Sequence, residues 1–252
     1  MRFFLMFLFL FLLSGTLQCQ ILDFVAHGQF EFERKINTYP IYEGLLLDNK
    51  NVKEEDKAKS FIDFKSKNAQ FLSTTFKFSF NHNTWCYEFY EGDNKNFLSG
   101  AAFDNIIYGN IDTDNYISQM NVFGNKFIVS DSLRKIKWRL TDELREIAGF
   151  QCRRANASLN DSVYVVAYYT DQIPLKSGPE MFNGLPGMIL GVFLPNEHIS
   201  WFATKFNGNV LDVKQYNEVN AKIQRKTYED TYKKFLNQYG LTSKWFKSFL
   251  NY

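Results

Sequence analysis

Period-two alternation of apolar and polar residues runs through much of the chain. Phe30 and Phe32 alternate with Glu31 and Glu33, Phe76, Phe78 and Phe80 with Lys77 and Ser79, and Trp85, Tyr87 and Phe89 with Cys86 and Glu88. Successive side chains of a strand point to opposite faces, so each run predicts an antiparallel strand with one face buried. Turn chemistry separates the runs. Asn81-His82-Asn83 joins two of them closely enough for a hairpin, Glu91-Gly92-Asp93-Asn94 ends the next, and Gly109-Asn110 and Gly124-Asn125 punctuate the middle of the chain. A meander is the simplest topology that follows.

Two stretches carry a helical period instead. Between Val52 and Phe64, the residues Ala58, Phe61 and Ile62 fall at helical spacing and Glu55 precedes Lys59 by one turn, which predicts an amphipathic helix. Near the C-terminus, Tyr228, Tyr232, Phe235, Leu236 and Tyr239 share one face before Gly240, a natural stop, and predict a helix lying across a sheet. Its other side carries Lys222, Arg225, Lys226, Lys233 and Lys234, interrupted by Glu229 and Asp230, the pattern of a solvated face. The expected fold is mainly β within the α+β class: a curved antiparallel β-sheet or half-barrel with one or two packed helices, including the C-terminal one.

The apolar run Met188 to Leu194 reads as a strand buried on both faces, in which Gly191 allows a bulge or the close approach of another element. The chain enters it through GPEMFNGLPG, residues 178–187. Leu185-Pro186-Gly187-Met188 has the composition of a type II turn, which predicts a positive φ at Gly187. Two readings of Gly178, Pro179, Gly184, Leu185, Pro186 and Gly187 stay open. Either the block lines the mouth of a cavity and offers a rigid surface to a ligand or partner, or its glycines and prolines shape a crossing into the core.

The first twenty residues change the picture of where such a sheet works. Arg2, the apolar run Phe3 to Leu13 and the small residues Ser14, Gly15 and Thr16 read as a secretory signal peptide, residues 1–20. The run is shorter than the roughly 20 residues a membrane-spanning helix needs, so no span is expected in the mature chain, residues 21–252. Leu17-Gln18-Cys19 loosely resembles a lipidation site, with Gln where a small residue is usual. The expected compartment is the periplasm or outer membrane, or the exterior. No linker, repeat or low-complexity tract divides residues 21–252, which are read as one β-rich domain.

Charge and cysteine narrow the chemistry further. A formal net charge of +2, less Arg2, gives no electrostatic case for nucleic acid. An oxidising compartment permits Cys86 and Cys152 to pair; the alternative is two buried thiols acting as small hydrophobes. The three histidines, His27, His82 and His198, have no shared ligand spacing, so no metal and no cofactor is expected. Asp142, Glu143 and Glu146, interspersed with Arg145, read as surface ion pairing. Glu197-His198 reads as a solvated loop, and Asp112 with Asp114 lacks the further oxygen ligands of a calcium loop. Ser177 precedes Gly178 without the Gly-x-Ser-x-Gly elbow of a serine hydrolase, and no residue is assigned a catalytic role.

One block resembles a known family. Trp138, the Gly149-Phe150-Gln151-Cys152-Arg153-Arg154-Ala155 segment, Ala167-Tyr168-Tyr169-Thr170, Ile173-Pro174, Gly178-Pro179 and Gly184-Leu185-Pro186-Gly187 follow one another in an order and spacing that resemble the GLPGLI proteins of Bacteroidota. Met188 stands where the family has leucine, and Tyr168 where tryptophan is frequent. The resemblance implies an exported, mostly β protein, similar to the bowl-shaped N-terminal domain of some bacterial peptide:N-glycanases, where that domain is an accessory to the catalytic part. It also suggests a role near TonB-dependent outer-membrane receptors, an association rather than a mechanism.

The leading expectation is a non-catalytic accessory or binding protein of the cell envelope. Its partner would be an envelope protein, a peptide, a glycan or an apolar ligand, with a TonB-dependent receptor among the candidates. The alternatives are a secreted hydrolase acting on peptide or glycan, and a structural subunit docking on a transport receptor. Aromatic residues make up 18% of the sequence and serve either a concave binding surface or a core.

Overall fold

The computed structural model describes residues 24–92, 105–122, 125–159, 163–217 and 222–238. The signal-like segment 1–20 with Cys19, the turn residues Asp93 and Asn94, Gly124, Tyr239 and Gly240 lie outside the described residues. Among the described residues, no helix is long and apolar enough to cross a membrane.

Among the described residues, the alternating runs form one antiparallel sheet of eleven strands, reached through two meanders rather than one. The first comprises β1 (His27–Asn37), β2 (Phe71–Asn81), β3 (Thr84–Gly92), β4 (Ile106–Asn110), β5 (Asn115–Val122) and β6 (Asn125–Ser132). The second comprises β7 (Arg139–Ile147), β8 (Phe150–Leu159), β9 (Val163–Thr170), β10 (Met188–Leu194) and β11 (Ile199–Asn207). β11 pairs with β1, so the sheet order is β6-β5-β4-β3-β2-β1-β11-β10-β9-β8-β7.

This order forces curvature. Eleven strands spaced roughly 4.8 Å apart would put the two edges about 48 Å apart if the sheet were flat. Edge β6 nevertheless leads to the opposite edge, β7, through Leu133–Trp138 alone, a link that reaches about 25 Å when fully extended. The sheet must curl to bring its edges back toward one another. Ring contacts record the curl: Phe150, at the start of β8, lies 5.5 Å from Phe30 of β1, four places along the sheet, and 5.2 Å from Phe206 of β11.

The inner face is the one the alternation selects. Phe30 and Phe32 of β1, Phe76, Phe78 and Phe80 of β2, and Trp85 and Tyr87 of β3 are all buried, and Phe78 sits opposite both Phe30 and Tyr87 in register. On the other side of β1 the same face continues through Trp201 and Ala203, then Val192, then Ala167 and Ala155. This face carries large rings on β1–β3 but small alanines on β8 and β9, which leaves room inside the curl. The chain between β9 and β10 fills it: Ile173, Leu175, Met181, Phe182 and Leu185 are buried, and Phe182 meets the Trp201 ring at 5.9 Å. Exclusion of these side chains from water is the main favourable term in holding the two meanders together.

Among the described residues, three helices accompany the sheet. α1 (Thr38–Asp48) has no counterpart in the sequence reading, because Pro40 and Gly44 interrupt its pattern. Pro40 is tolerated in the first turn, where its missing N–H would have no helical partner. α2 (Glu54–Lys67) forms as expected, but with its apolar face rotated. Phe64 stacks on Tyr42 at 3.9 Å and Phe61 meets Tyr39 at 6.4 Å, whereas Ala58 and Ile62 are exposed. α3 (Arg225–Gln238) buries Tyr228, Tyr232 and Leu236 as the spacing requires, with Tyr228 against Phe127 of β6 at 5.5 Å.

Two further expectations resolve here. In β10 a bulge falls between Ile189 and Gly191, and a Cβ on Gly191 would sit 2.6 Å from the Phe202 ring, so bulge and close approach coincide. Phe193 is the exception to burial on both faces. The Cys86–Cys152 pairing is corrected: both are free, buried thiols. β3 and β8 stand six places apart, on opposite sides of β1, and each thiol is packed among its own neighbours, Cys86 between Ser79 and Tyr108 in register. Burial pushes both thiols up to about 12.

Candidate functional site

The Gly/Pro-rich block is built as an internal plug. Its backbone is satisfied largely within itself: Gly184 N–H donates to the Lys176 carbonyl at 3.1 Å, Ile189 N–H to Ser177 at 2.9 Å and Met188 N–H to Ile173 at 3.0 Å. Trp138, which heads the family-like block, donates its indole N–H to the Asn183 carbonyl at 2.8 Å and so ties the link between the sheet edges to the plug. Gly178, Pro179, Leu185 and Gly187 are buried, while Gly184 and Pro186 reach the surface. Gly178 is glycine because a Cβ would lie 2.6 Å from the Ile189 Cβ.

The type II turn is not what requires Gly187. Among the described residues, the positive-φ glycines are Gly28, Gly92, Gly149 and Gly184, the last at 89°, and Gly187 is not one of them. A Cβ on Gly187 would instead collide with the Thr170 carbonyl oxygen, at the opening of the β9–β10 crossing. Close backbone approach, rather than a left-handed turn, keeps that position small.

Inside the plug lies a buried carboxylate to which the sequence pattern alone assigns no role. Glu180, at φ 51°, is 1% exposed, and its Oε1 accepts the Tyr87 hydroxyl at 3.5 Å. Arg34 of β1 and Asn105 are each 1% exposed, and Tyr87 and Trp201 are fully buried. Burial pushes the Glu180 carboxyl up to about 7, opposed by the Arg34 charge and by the polar groups of Trp201, Tyr87 and Asn105 around it. The Arg34 guanidinium also lies over the Trp201 ring, 5.8 Å from its centroid. A carboxylate at this depth is a proton-holding group set against a fixed cation, the environment in which buried acids acquire function or specify packing.

A signal for it was present. In the alternation Phe30, Phe32, Arg34, Ile36, a charge occupies a position that must face the core, and a buried arginine needs an acid. Glu180, between Pro179 and Met181 in the loop before β10, is an acid of the right type, but only the fold shows that the Arg34 charge acts on it.

The remaining clusters stay on the surface or at turns. Glu143 on β7 pairs with Arg154 at 2.6 Å and accepts the Tyr168 hydroxyl at 2.8 Å, and these two donors hold its carboxyl below the ordinary range. Arg145 lies over the Phe202 and Tyr168 rings at 5.1 and 5.6 Å, while Asp142 and Glu146 are exposed. Glu197 and His198 form the β10–β11 turn, where burial raises the first carboxyl and lowers the second residue's imidazole. Asp112 accepts the Asn83 amide at 2.8 Å, and Asp114 has a φ of 52° in the same tight turn. Among the described residues, no group of three or more His, Cys, Asp or Glu is placed to hold a metal ion.

Comparison with known proteins bears on this geometry. A family model described as a protein of unknown function, Porph_ging, matches residues 156–191, from β8 through the plug into β10. No curated protein matches. Among solved structures, PNGF-II is similar in two crystal forms, P21 and C2, each with a TM-score of 0.50, at 16% and 15% identity. The match covers 81% of this chain and 32% of PNGF-II, so this chain corresponds to about a third of that protein and shares its fold over that part.

Proposed function

We propose that the chain is an exported, non-catalytic accessory or binding module of the bacterial cell envelope, of the GLPGLI type, with a glycan, a peptide or an envelope transport protein as its partner. The observation that carries this reading is the use made of the family-like block. Residues 173–187 are spent on filling the curl of the sheet, with Leu185, Phe182 and Met181 buried in the core. A binding module needs a rigid frame of this kind, and its contacts are left to the rim and outer surface. The PNGF-II match supports the same reading, since a fold that accounts for 32% of a longer chain is a unit that works beside other parts. Association with a TonB-dependent outer-membrane system rests on the family resemblance.

A hydrolase would need its acid to reach substrate, and Glu180 is 1% exposed. The test joins localisation to activity. Expressed in its native type of host, the mature protein is expected in the periplasmic or outer-membrane fraction, starting close after residue 18, 19 or 20 by intact mass, and leaving glycopeptides uncleaved. Recovery from the cytosol with Met1 intact overturns the export reading. Glycan or peptide release that is lost in Glu180→Gln overturns the non-catalytic one.

A further inference from the structure

The tripeptide Phe-Asn-Gly occurs twice in the chain, at residues 182–184 and at residues 206–208. In each copy the glycine nitrogen can attack the side-chain carbonyl carbon of the asparagine before it, since no Cβ on the glycine crowds the approach. The fold gives these two chemically equal sites opposite surroundings.

The first copy is locked into the plug. Asn183 is 6% exposed, and its Nδ2 donates to the Met181 carbonyl at 2.9 Å. Its own carbonyl is held by the Trp138 indole at 2.8 Å, and its backbone bridges to Ser177. The nitrogen that must act as nucleophile, that of Gly184, is engaged with the Lys176 carbonyl at 3.1 Å. Closing a five-membered ring here requires the backbone to turn against all of these contacts in a packed interior.

The second copy stands at the end of β11. Asn207 is the last residue of the strand, opposite Gln29 of β1, and Asn207, Gly208 and Asn209 are all exposed. Asn207 Oδ1 accepts the Asn209 N–H at 3.0 Å. This bond folds the carboxamide forward along the chain, toward the Gly208 nitrogen. It also sets a donor on the oxygen where negative charge develops when Cγ is attacked, as an oxyanion hole does.

We infer that Asn207 is a site of spontaneous covalent modification, deamidation through a cyclic imide, and that the plug shields Asn183 from the same reaction. The Gly208 nitrogen gives up its proton and bonds to Asn207 Cγ; the Cγ–Nδ2 bond breaks, and the amide leaves as ammonia with that proton. Water then opens the imide. Cleavage between Cγ and the nitrogen leaves an aspartyl residue at position 207, and cleavage at the backbone carbonyl leaves an isoaspartyl one, in which the chain runs through the side-chain carbon. Nothing is oxidised or reduced, and water is the only co-reactant. Either product adds a negative charge where the chain leaves β11 for the segment tied to the first meander by the Asn81 amide on the Leu211 carbonyl, 2.9 Å, and by Lys214 with Glu88, 2.8 Å. The inference rests on the folded chain alone and is independent of its compartment and partner.

Incubation of the full chain at mildly alkaline pH, once folded and once unfolded in guanidinium chloride, tests it, each Phe-Asn-Gly peptide being followed by mass spectrometry after digestion. In the folded protein Asn207 is expected to convert at least about tenfold faster than Asn183, and in the unfolded chain the two should agree within about twofold. Conversion at position 207 should give two isomeric product peptides and an equal amount of ammonia. Gly208→Ala, whose added methyl meets only the Phe206 ring at ordinary contact distance, should slow Asn207 by about tenfold and leave Asn183 unchanged. The inference is overturned if Asn207 stays intact in the folded protein while the unfolded chain converts, if Asn183 converts as fast as Asn207 in the folded protein, or if Gly208→Ala converts at the parent rate.

Discussion

Gly184 and Gly187 stand in the same loop and are glycine for different reasons. At Gly184, with φ 89°, a side chain is strained by the backbone itself, although the space beyond it is open save for the Trp138 indole nitrogen 3.8 Å away. At Gly187 the backbone conformation is ordinary and the space is taken by the Thr170 carbonyl. Asn tolerates the left-handed region better than Ala, so Gly184→Asn should unfold in urea later than Gly184→Ala, which loses roughly 1 to 2 kcal/mol. At Gly187 the order carries no such rescue: Ala and Asn both overpack, at about 1 to 3 kcal/mol or more. Equal stability of the two Gly184 variants, or a Gly187→Ala protein as stable as the parent, would contradict these assignments. Glu180 makes a second residue-scale prediction. Its folded-state value of about 7 exceeds the ordinary 4.5, so between those two pH values the native state binds more protons than the unfolded chain. The contribution is therefore fully present below about pH 4.5 and is lost as pH rises through 7, by on the order of a few kcal/mol. Glu180→Gln should flatten this slope between pH 5 and pH 8 in urea titrations, because the amide binds and releases no proton in that range. A slope that persists unchanged in Glu180→Gln would assign the proton to another group.

At the scale of elements, legibility followed periodicity. β1, β2 and β3 could be read because one face is buried and one wet, and α3 because Tyr228, Tyr232 and Leu236 recur at helical spacing before its end. α1 could not, since Pro40 and Gly44 lower its propensity and what holds it is contact, Tyr42 against Phe64 and Ile41 in the core. α2 was legible as a helix but not in phase, because its apolar residues span more than one face and only α1 decides which of them turns inward. Gly187 was misread for the same kind of reason: Pro-Gly fits a type II turn locally, and a carbonyl seventeen positions earlier in the chain sets the actual constraint. Arg34 shows the converse. Its inward position is implied by alternation, yet Glu180, the acid its charge acts on, sits in a loop whose path the sequence does not specify. Local pattern reports which face a residue occupies, and tertiary contact decides what it meets there.

Across the whole molecule, the central question is whether two meanders, paired through β1 and β11 and packed on one plug, fold as one unit. The sheet order offers a weak point at the β1–β11 pair, since each meander has its own antiparallel pairings on either side of it. Against separation stand the contacts that cross between them: Phe30 with Phe150 at 5.5 Å and with Phe206 at 4.7 Å, Tyr87 with Glu180 at 3.5 Å, and Arg34 over Trp201 at 5.8 Å. Removing either meander would expose the rings of β1 and the plug together, an apolar loss that favours cooperative unfolding. The two free thiols report on the halves separately, Cys86 in β3 of the first and Cys152 in β8 of the second. Both are buried and held near 12, so neither supplies thiolate to a labelling reagent while its own strand is folded. In a urea series with brief thiol labelling, read by mass spectrometry of peptides, both cysteines should become reactive at the same midpoint as the loss of tryptophan fluorescence. Phe150→Ala should lower that shared midpoint without splitting it, because the ring it removes bridges β1 and β11. Cys152 labelling at lower urea than Cys86, in the parent protein, would show that the second meander opens alone and that the plug belongs to it rather than to the whole sheet.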